Sequence, residues 1–135
     1  MSTDTTGGNL LQMNQGNQAR DLTRRLPSFI LAWGAPIAIL LALNYADLPI
    51  RQASLAVTAC FVWMGVACAV NAIRCRRRHC YFTSPVFLLG GVAAYLAGYN
   101  IIDIGQNGLT YVAWGTFLVA AIMYLPEGIR GKYMR

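Results

Sequence analysis

The chain alternates between long apolar segments and short clusters of charged residues. Four apolar segments are each roughly 17–21 residues long, which is the length a helix needs to cross ~30 Å of hydrocarbon. Because backbone N–H and C=O groups in lipid must be bonded within their own segment, we predict that all four are transmembrane helices. The predicted helices cover about 27–45, 53–73, 85–104 and 109–125.

The connections between these segments are short, at about seven, eleven and four residues. Short links make neighbouring helices antiparallel, so the predicted fold is an all-α membrane protein, a four-helix bundle with up-down-up-down topology. Pro27 and Pro85 suit the first turns of their helices, and Pro36 is expected to kink the first helix. The predicted transmembrane domain therefore spans 27–126. It follows a flexible polar tail, 1–26, with a basic interfacial end, and precedes a basic tail, 127–135.

The composition excludes an ordinary soluble domain. Hydrophobic residues make up 56% of the chain and charged residues 12%, against about 25% charged residues in average soluble domains. The net charge of +6 does not predict a nucleic-acid partner, because the basic residues stand at the ends of apolar segments. No cleavable signal peptide is predicted, since the first apolar segment follows a long polar leader and has no small-residue cleavage site.

The distribution of Lys and Arg predicts the orientation in the membrane. Ten of these residues fall on the side that holds both termini and the connection after the second helix, and Arg51 stands alone on the other side. Cytoplasmic loops are enriched in Lys and Arg, so both termini are predicted to be cytoplasmic, in a bacterial inner membrane. The ten residues are Arg20, Arg24, Arg25, Arg74, Arg76, Arg77, Arg78, Arg130, Lys132 and Arg135.

The segment 71–85 carries the first candidate site. Cys75, His79 and Cys80 lie within six residues at the predicted cytoplasmic mouth of the second and third helices. Two thiols and an imidazole are donors that Cu(I) or Zn(II) accepts, although the spacing is not that of a zinc finger and a fourth ligand is absent nearby. Because basic loops attract anionic headgroups, the arginines are expected to bind lipid or a partner. They are Arg74, Arg76, Arg77 and Arg78.

The second helix carries a stripe of sulfur-containing side chains. Cys60, Met64 and Cys68, continued by Asn71 and Cys75, are spaced by three or four residues and so share one helix face. Such a stripe would offer a route or reserve ligands for a soft metal ion. Cys and Met are also common packing residues in membrane helices, so both interpretations stay open.

Other residues predict packing rather than chemistry. Gly90, Ala94 and Gly98 are spaced by four on the third helix, as small residues are where membrane helices approach closely. Asp103, near the end of that helix, is expected to be interfacial and hydrated, although a carboxylate in a membrane also raises a transport role. No phosphate-binding, dinucleotide-binding or zinc-protease motif is present, and we predict that the protein is not an enzyme.

The pattern N-A-x-R-C-x-R-x-H-C-x-x-T-x-P over 71–85, followed by Phe-Leu-Leu, resembles small uncharacterised bacterial four-helix membrane proteins. The resemblance covers about 20 residues and implies that the shared positions act as one functional unit. Arg76 stands where a small glycine is expected, and Ser84 precedes the proline, which puts a tight loop in question. Small mercury transporters carry an adjacent Cys-Cys pair in their first helix, which this chain lacks. The shared positions are Arg74, Cys75, Arg77, His79, Cys80, Thr83 and Pro85.

Two functions are therefore expected. In the first, the protein binds or moves a thiophilic metal ion, or senses thiol redox state, through the Cys/His segment. In the second, it is a non-catalytic accessory subunit whose small-residue faces pack on a larger membrane complex or on further copies of itself. The lipid bilayer is a partner in both.

Overall fold

The computed structural model describes most of the transmembrane region. The described residues are 25–76, 78–105 and 107–130, with short pieces at 8–9, 11–13 and 15–16. The side chains of Cys75 and of residues 126–130 are outside this description. Most of the predicted tail 1–26, together with residues 131–135, also lies outside it.

The described chain forms four long helices. They are α1 (Leu26–Leu43), α2 (Ile50–Cys75), α3 (Arg78–Gly98) and α4 (Gly108–Arg130). Each contains a stretch long and apolar enough to cross a membrane. The predicted all-α four-helix bundle is confirmed. Four helices of this length and hydropathy are typical of a multi-pass membrane protein.

Helix α1 is not regular along its length. It runs as an α-helix over Leu26–Phe29, widens to a π-helix over Ile30–Gly34, and returns to an α-helix over Ala35–Leu43. Pro36 lies two residues after the end of the wide turn and has no N–H to donate to it. The irregularity expected at Pro36 therefore takes the form of a π-helical turn, a common local adjustment at proline in membrane helices.

Helices α2 and α3 are joined by a tighter turn than the sequence predicts. Helix α2 ends at Cys75 and is capped by Arg76, whose φ of 52° is left-handed and whose N–H donates to the Ala72 carbonyl at 2.9 Å. Helix α3 then begins at Arg78, seven residues before the predicted start at Pro85, and ends at Gly98. Pro85 lies inside the helix instead of opening it.

The core is built mainly around α2 and α3, which form the most extensive helix pair, with α4 packed on α3 and α1 on α2. At its centre the rings of Phe61, Phe87 and Phe117 meet with centroid distances of 5.7–6.0 Å. Hydroxyl groups connect α2 and α3: Thr58 donates to the Gly91 carbonyl at 3.1 Å, and Ser84 donates to the Gly65 carbonyl at 2.9 Å.

The small-residue stripe of α3 faces the interior of this bundle. Gly90, Ala94 and Gly98 are all buried. A Cβ added at Gly90 would meet Thr116 of α4, and one added at Gly98 would meet Ser54 of α2. These residues therefore allow close packing of the chain's own helices.

The connection between α3 and α4 is longer than predicted, because α3 ends early. Asp103, predicted near the end of the third helix, lies in this connection and is exposed. Its Oδ1 accepts a hydrogen bond from the Gly105 N–H at 3.2 Å, and it lines an open cleft of about 430 Å³. The carboxylate is thus outside the helices that could span the membrane.

Candidate functional site

Two thiols meet between α2 and α3, near the turn that joins these helices. Cys68 lies in the last third of α2, and Cys80 is the third residue of α3. Their side chains lie within hydrogen-bonding reach of each other. Cys80 is 0% exposed and Cys68 2% exposed, so the pair is enclosed by protein. We refer to Cys68 and Cys80 as the thiol pair.

The sulfur of Cys80 is surrounded by nitrogen atoms. The Asn71 amide donates from Nδ2 to the Cys80 Sγ at 3.4 Å, and Asn71 is 0% exposed. The His79 Nε2 lies 3.3 Å from the same sulfur and donates to it in the tautomer that carries the proton on Nε2. Polar groups buried in an apolar surrounding are stable only when they are hydrogen-bonded, and here one sulfur is the partner for both.

The sulfur of Cys68 has a different set of neighbours. Its side chain is in hydrogen-bonding contact with Thr83 of α3 and with Trp33 of α1, as well as with Cys80. The Thr83 hydroxyl donates its own proton to the His79 carbonyl at 2.8 Å. The Thr83 side chain therefore connects Cys68 of α2 to the first turn of α3.

All four helices contribute to the site. The ring of Tyr124, from α4, lies over the His79 ring with a centroid distance of 4.8 Å and covers the half-buried imidazole. Trp33 closes the site from α1. The thiol pair is thus a feature of the folded bundle and not of the turn alone.

The predicted metal ligands are only partly brought together. His79 and Cys80 are in contact, as neighbours in the first turn of α3 rather than in a loop. Cys75 ends α2, and its side chain is outside the described part of the chain. Cys60 and Met64 are buried in the hydrophobic core, 6% and 1% exposed.

Within the described residues, no group of three or more His, Cys, Asp or Glu side chains is placed so that it could hold a metal ion. A structural zinc site almost always needs four ligands. The described donors therefore provide a pair of sulfur atoms rather than a zinc site.

The basic residues lie beside the thiol pair. Arg74 and Arg76 are exposed at the end of α2, while Arg78 is half-buried at the start of α3 and its Nε atom is enclosed without a hydrogen-bond partner. Arg77 is outside the described residues. Exposed guanidinium groups at a helix end are placed as headgroup-binding residues would be.

Sequence reasoning missed the pairing of Cys68 with Cys80 and the roles of Asn71, Trp33 and Tyr124. The sequence placed Cys80 in a loop and Cys68 in a helix, so their contact was not expected. The sequence does carry a sign that the helix begins before Pro85: the small side chains of Cys80, Thr83 and Ser84 recur at helical spacing, and all three are buried.

Together, the fold and this site define a small multi-pass membrane protein with a buried dithiol at one end of its bundle. No protein-family model, curated protein or solved structure matches the chain.

Proposed function

We propose that this protein is a membrane thiol-redox sensor in which the thiol pair is oxidised reversibly to a disulfide. The observation that carries the proposal is that the Cys68 and Cys80 side chains of two adjacent helices lie within hydrogen-bonding reach of each other and are both buried. Two thiols held in contact have lost most of the conformational freedom that disulfide formation otherwise removes. This retains the redox half of the function expected from the sequence.

The surroundings of the pair support chemistry over simple packing. A cysteine that only fills space needs apolar neighbours. Here Asn71 and His79 direct nitrogen atoms at the Cys80 sulfur in a helical segment that could lie in the membrane. Burying such polar groups costs free energy unless they are hydrogen-bonded, and polar residues within membrane segments are most often functional.

A disulfide also fits the described donor set better than a metal ion does. Disulfide formation needs two sulfur atoms, whereas Zn(II) needs two further ligands. Cu(I) accepts thiolates, so Cu(I) and Zn(II) are offered to the reduced protein in the experiment below. Uptake of one ion per chain by the thiol pair would favour metal handling instead.

One argument for the accessory-subunit alternative no longer holds. It relied on small residues packing against a larger complex, and Gly90, Ala94 and Gly98 face the interior of the chain's own bundle. A partner would have to bind the large apolar side chains on the outside, which a lipid bilayer covers equally well.

The location follows from the charge distribution. We propose a bacterial inner membrane with both termini cytoplasmic, because ten basic residues fall on that side and one on the other. The resemblance of 71–85 to small bacterial membrane proteins agrees with this location. The thiol pair would then lie in the cytoplasmic half of the membrane, with Arg74 and Arg76 at the headgroups.

The test is to oxidise the reduced full-length protein in lipid with diamide, which takes two electrons and two protons from two thiols to become a hydrazine. The protein is then unfolded in SDS, its free thiols are blocked with N-ethylmaleimide, and it is digested for mass spectrometry. We expect a peptide linked through Cys68 and Cys80, and dithiothreitol should reverse it. The number of blockable thiols should fall from the four of the sequence by the two that pair.

Matched variants separate this site from the other cysteines. Cys60→Ser and Cys75→Ser should keep the linkage, and Cys80→Ser should remove it. Linkage through Cys75, linkage only between different chains, or four thiols that stay reactive after diamide would each contradict the proposal.

A further inference from the structure

We infer that the thiol pair is oxidised by hydrogen peroxide, or by a peroxide of similar size and no charge, and that Cys80 reacts first while Cys68 completes the disulfide. This inference rests on the proposed function and names the oxidant and the order of reaction at the same site. It follows from the enclosure of the pair and from the difference between the surroundings of its two sulfur atoms.

Enclosure selects the oxidant. Cys80 is 0% exposed and Cys68 2% exposed, with Tyr124 and Trp33 covering the cluster from the outer helices. A peptide disulfide such as oxidised glutathione is large and carries several charges, so it reaches these sulfur atoms only after the helices separate. Hydrogen peroxide is close to water in size and uncharged, and a small local opening admits it.

The position of Cys80 suits the sulfur that attacks. It is in the first turn of α3, where unpaired backbone N–H groups and the helix dipole favour negative charge. The Asn71 amide donates to the same sulfur, and His79 lies 3.3 Å away. All of these groups stabilise the charge that develops on the Cys80 sulfur during the reaction.

Cys68 is not at the N-terminal end of its helix. It lies seven residues before the last residue of α2, so the N-terminal N–H groups of its own helix are far from it. Its thiol is in contact with the Thr83 oxygen and with the Cys80 sulfur. This places Cys68 where it can attack Cys80 once that sulfur has been oxidised.

The reaction balances without a further reagent. The Cys80 sulfur forms a bond to one oxygen of hydrogen peroxide as the O–O bond breaks. The other oxygen leaves as hydroxide and takes the proton from the Cys80 thiol, which gives water and a sulfenic acid. The Cys68 sulfur then bonds to the Cys80 sulfur, and the hydroxyl group leaves with the Cys68 proton as a second water. Two electrons have passed from the two sulfur atoms to the peroxide.

The oxidant is tested by comparing folded and unfolded protein. Reduced Cys75→Ser protein in lipid is treated with hydrogen peroxide or with oxidised glutathione, and disulfide formation is followed by maleimide blocking. The same protein unfolded in SDS gives the reactivity of the exposed thiols. Folding should slow the glutathione reaction by roughly tenfold or more, since it needs an opening of the bundle, and should slow the peroxide reaction by less than about threefold.

The order of attack is tested by treating two single variants with hydrogen peroxide and then unfolding them in SDS with dimedone, which traps sulfenic acid once the sulfur is accessible. Cys68→Ser should leave a dimedone adduct on Cys80 after peroxide treatment, and Cys80→Ser should give no adduct on Cys68. Cys60→Ser, a change at a buried cysteine outside the pair, should form the disulfide at the wild-type rate. Disulfide formation is also measured in the wild-type protein, so the test of the disulfide does not depend on whether the variants fold.

The outcomes for the inference and the proposed function are distinct. A disulfide that forms with diamide or glutathione but not with peroxide would overturn the inference while leaving the redox proposal in place. So would an adduct on Cys68 in place of Cys80. Failure of every oxidant to link the pair would remove both.

Discussion

Two adjacent glycines of α3 give a direct test of the packing. Gly90 and Gly91 are both buried and lie at the same depth, but they face different helices. A Cβ added at Gly90 would meet the Thr116 side chain of α4, with Cγ2 at 2.6 Å and Cβ at 3.1 Å. A Cβ added at Gly91 would meet α2 at 3.5 Å, which is ordinary van der Waals contact.

The expected effect is a difference between two matched alanine variants. Both gain about 0.5–1 kcal/mol from replacing glycine inside a helix, so that contribution cancels. Gly90→Ala also forces overlap in a packed core, which costs about 1–3 kcal/mol. Thr116 cannot simply rotate away, because its hydroxyl donates to the Val112 carbonyl at 2.7 Å. We therefore expect Gly90→Ala to be about 1–3 kcal/mol less stable than Gly91→Ala.

Reversible unfolding in mixed detergent and SDS micelles measures this difference. Adding Thr116→Ala to Gly90→Ala removes Oγ1 and Cγ2 of Thr116, the two closest overlapping atoms, and should recover most of the lost stability, as a coupling in the double-mutant cycle. Equal stabilities for the two single variants would refute the packing of α3 against α4 described above.

Three smaller changes test other parts of the hairpin. Arg76→Gly should stabilise the fold by up to about 1 kcal/mol in the same unfolding assay, because a left-handed residue other than glycine is strained. A variant less stable than the wild type would contradict the left-handed conformation at this turn. Ser84→Ala should destabilise by about 0.5–1.5 kcal/mol through loss of its bond to the Gly65 carbonyl, and no change would show that the bond is not formed in the membrane. Tyr124→Ala removes an aromatic contact with His79 worth about 0.5–1.5 kcal/mol. Oxidised glutathione should therefore react with the thiol pair about two- to tenfold faster. An unchanged rate would show that this ring does not cover the site.

The fold could be predicted because a membrane leaves few alternatives. Hydropathy and length identify spans directly, since an unpaired backbone in lipid is excluded. The error concerned α3, which begins at Arg78 and not at Pro85. A run of arginines followed by a proline predicts a loop, but long basic side chains extend from a helix end to the headgroups, and proline is tolerated inside membrane helices.

That error also determined what could be predicted of the site. With α3 starting at Pro85, His79 and Cys80 belong to a loop and the natural partner of Cys80 is Cys75. With α3 starting at Arg78, Cys80 turns into the bundle and meets Cys68. A tight turn favours glycine where this chain has Arg76, yet Arg76 adopts the left-handed conformation itself. Contacts across a turn depend on where both helices end, and helix ends are the least certain part of a sequence-based prediction.

The position of the thiol pair inside the bundle links its stability to its chemistry. Outside the hairpin end, the core is formed by aromatic and small residues, such as the three phenylalanine rings. Near the turn it changes to a polar cluster in which Asn71 and Cys80 are completely buried. An apolar surrounding makes such a cluster unfavourable unless its hydrogen bonds are satisfied. The same surrounding excludes charged reagents from the sulfur atoms. With the function proposed above, a dithiol placed there would respond to small neutral oxidants that cross the membrane and would be shielded from the charged thiols and disulfides of the aqueous phase. This is the selectivity that we propose for the protein.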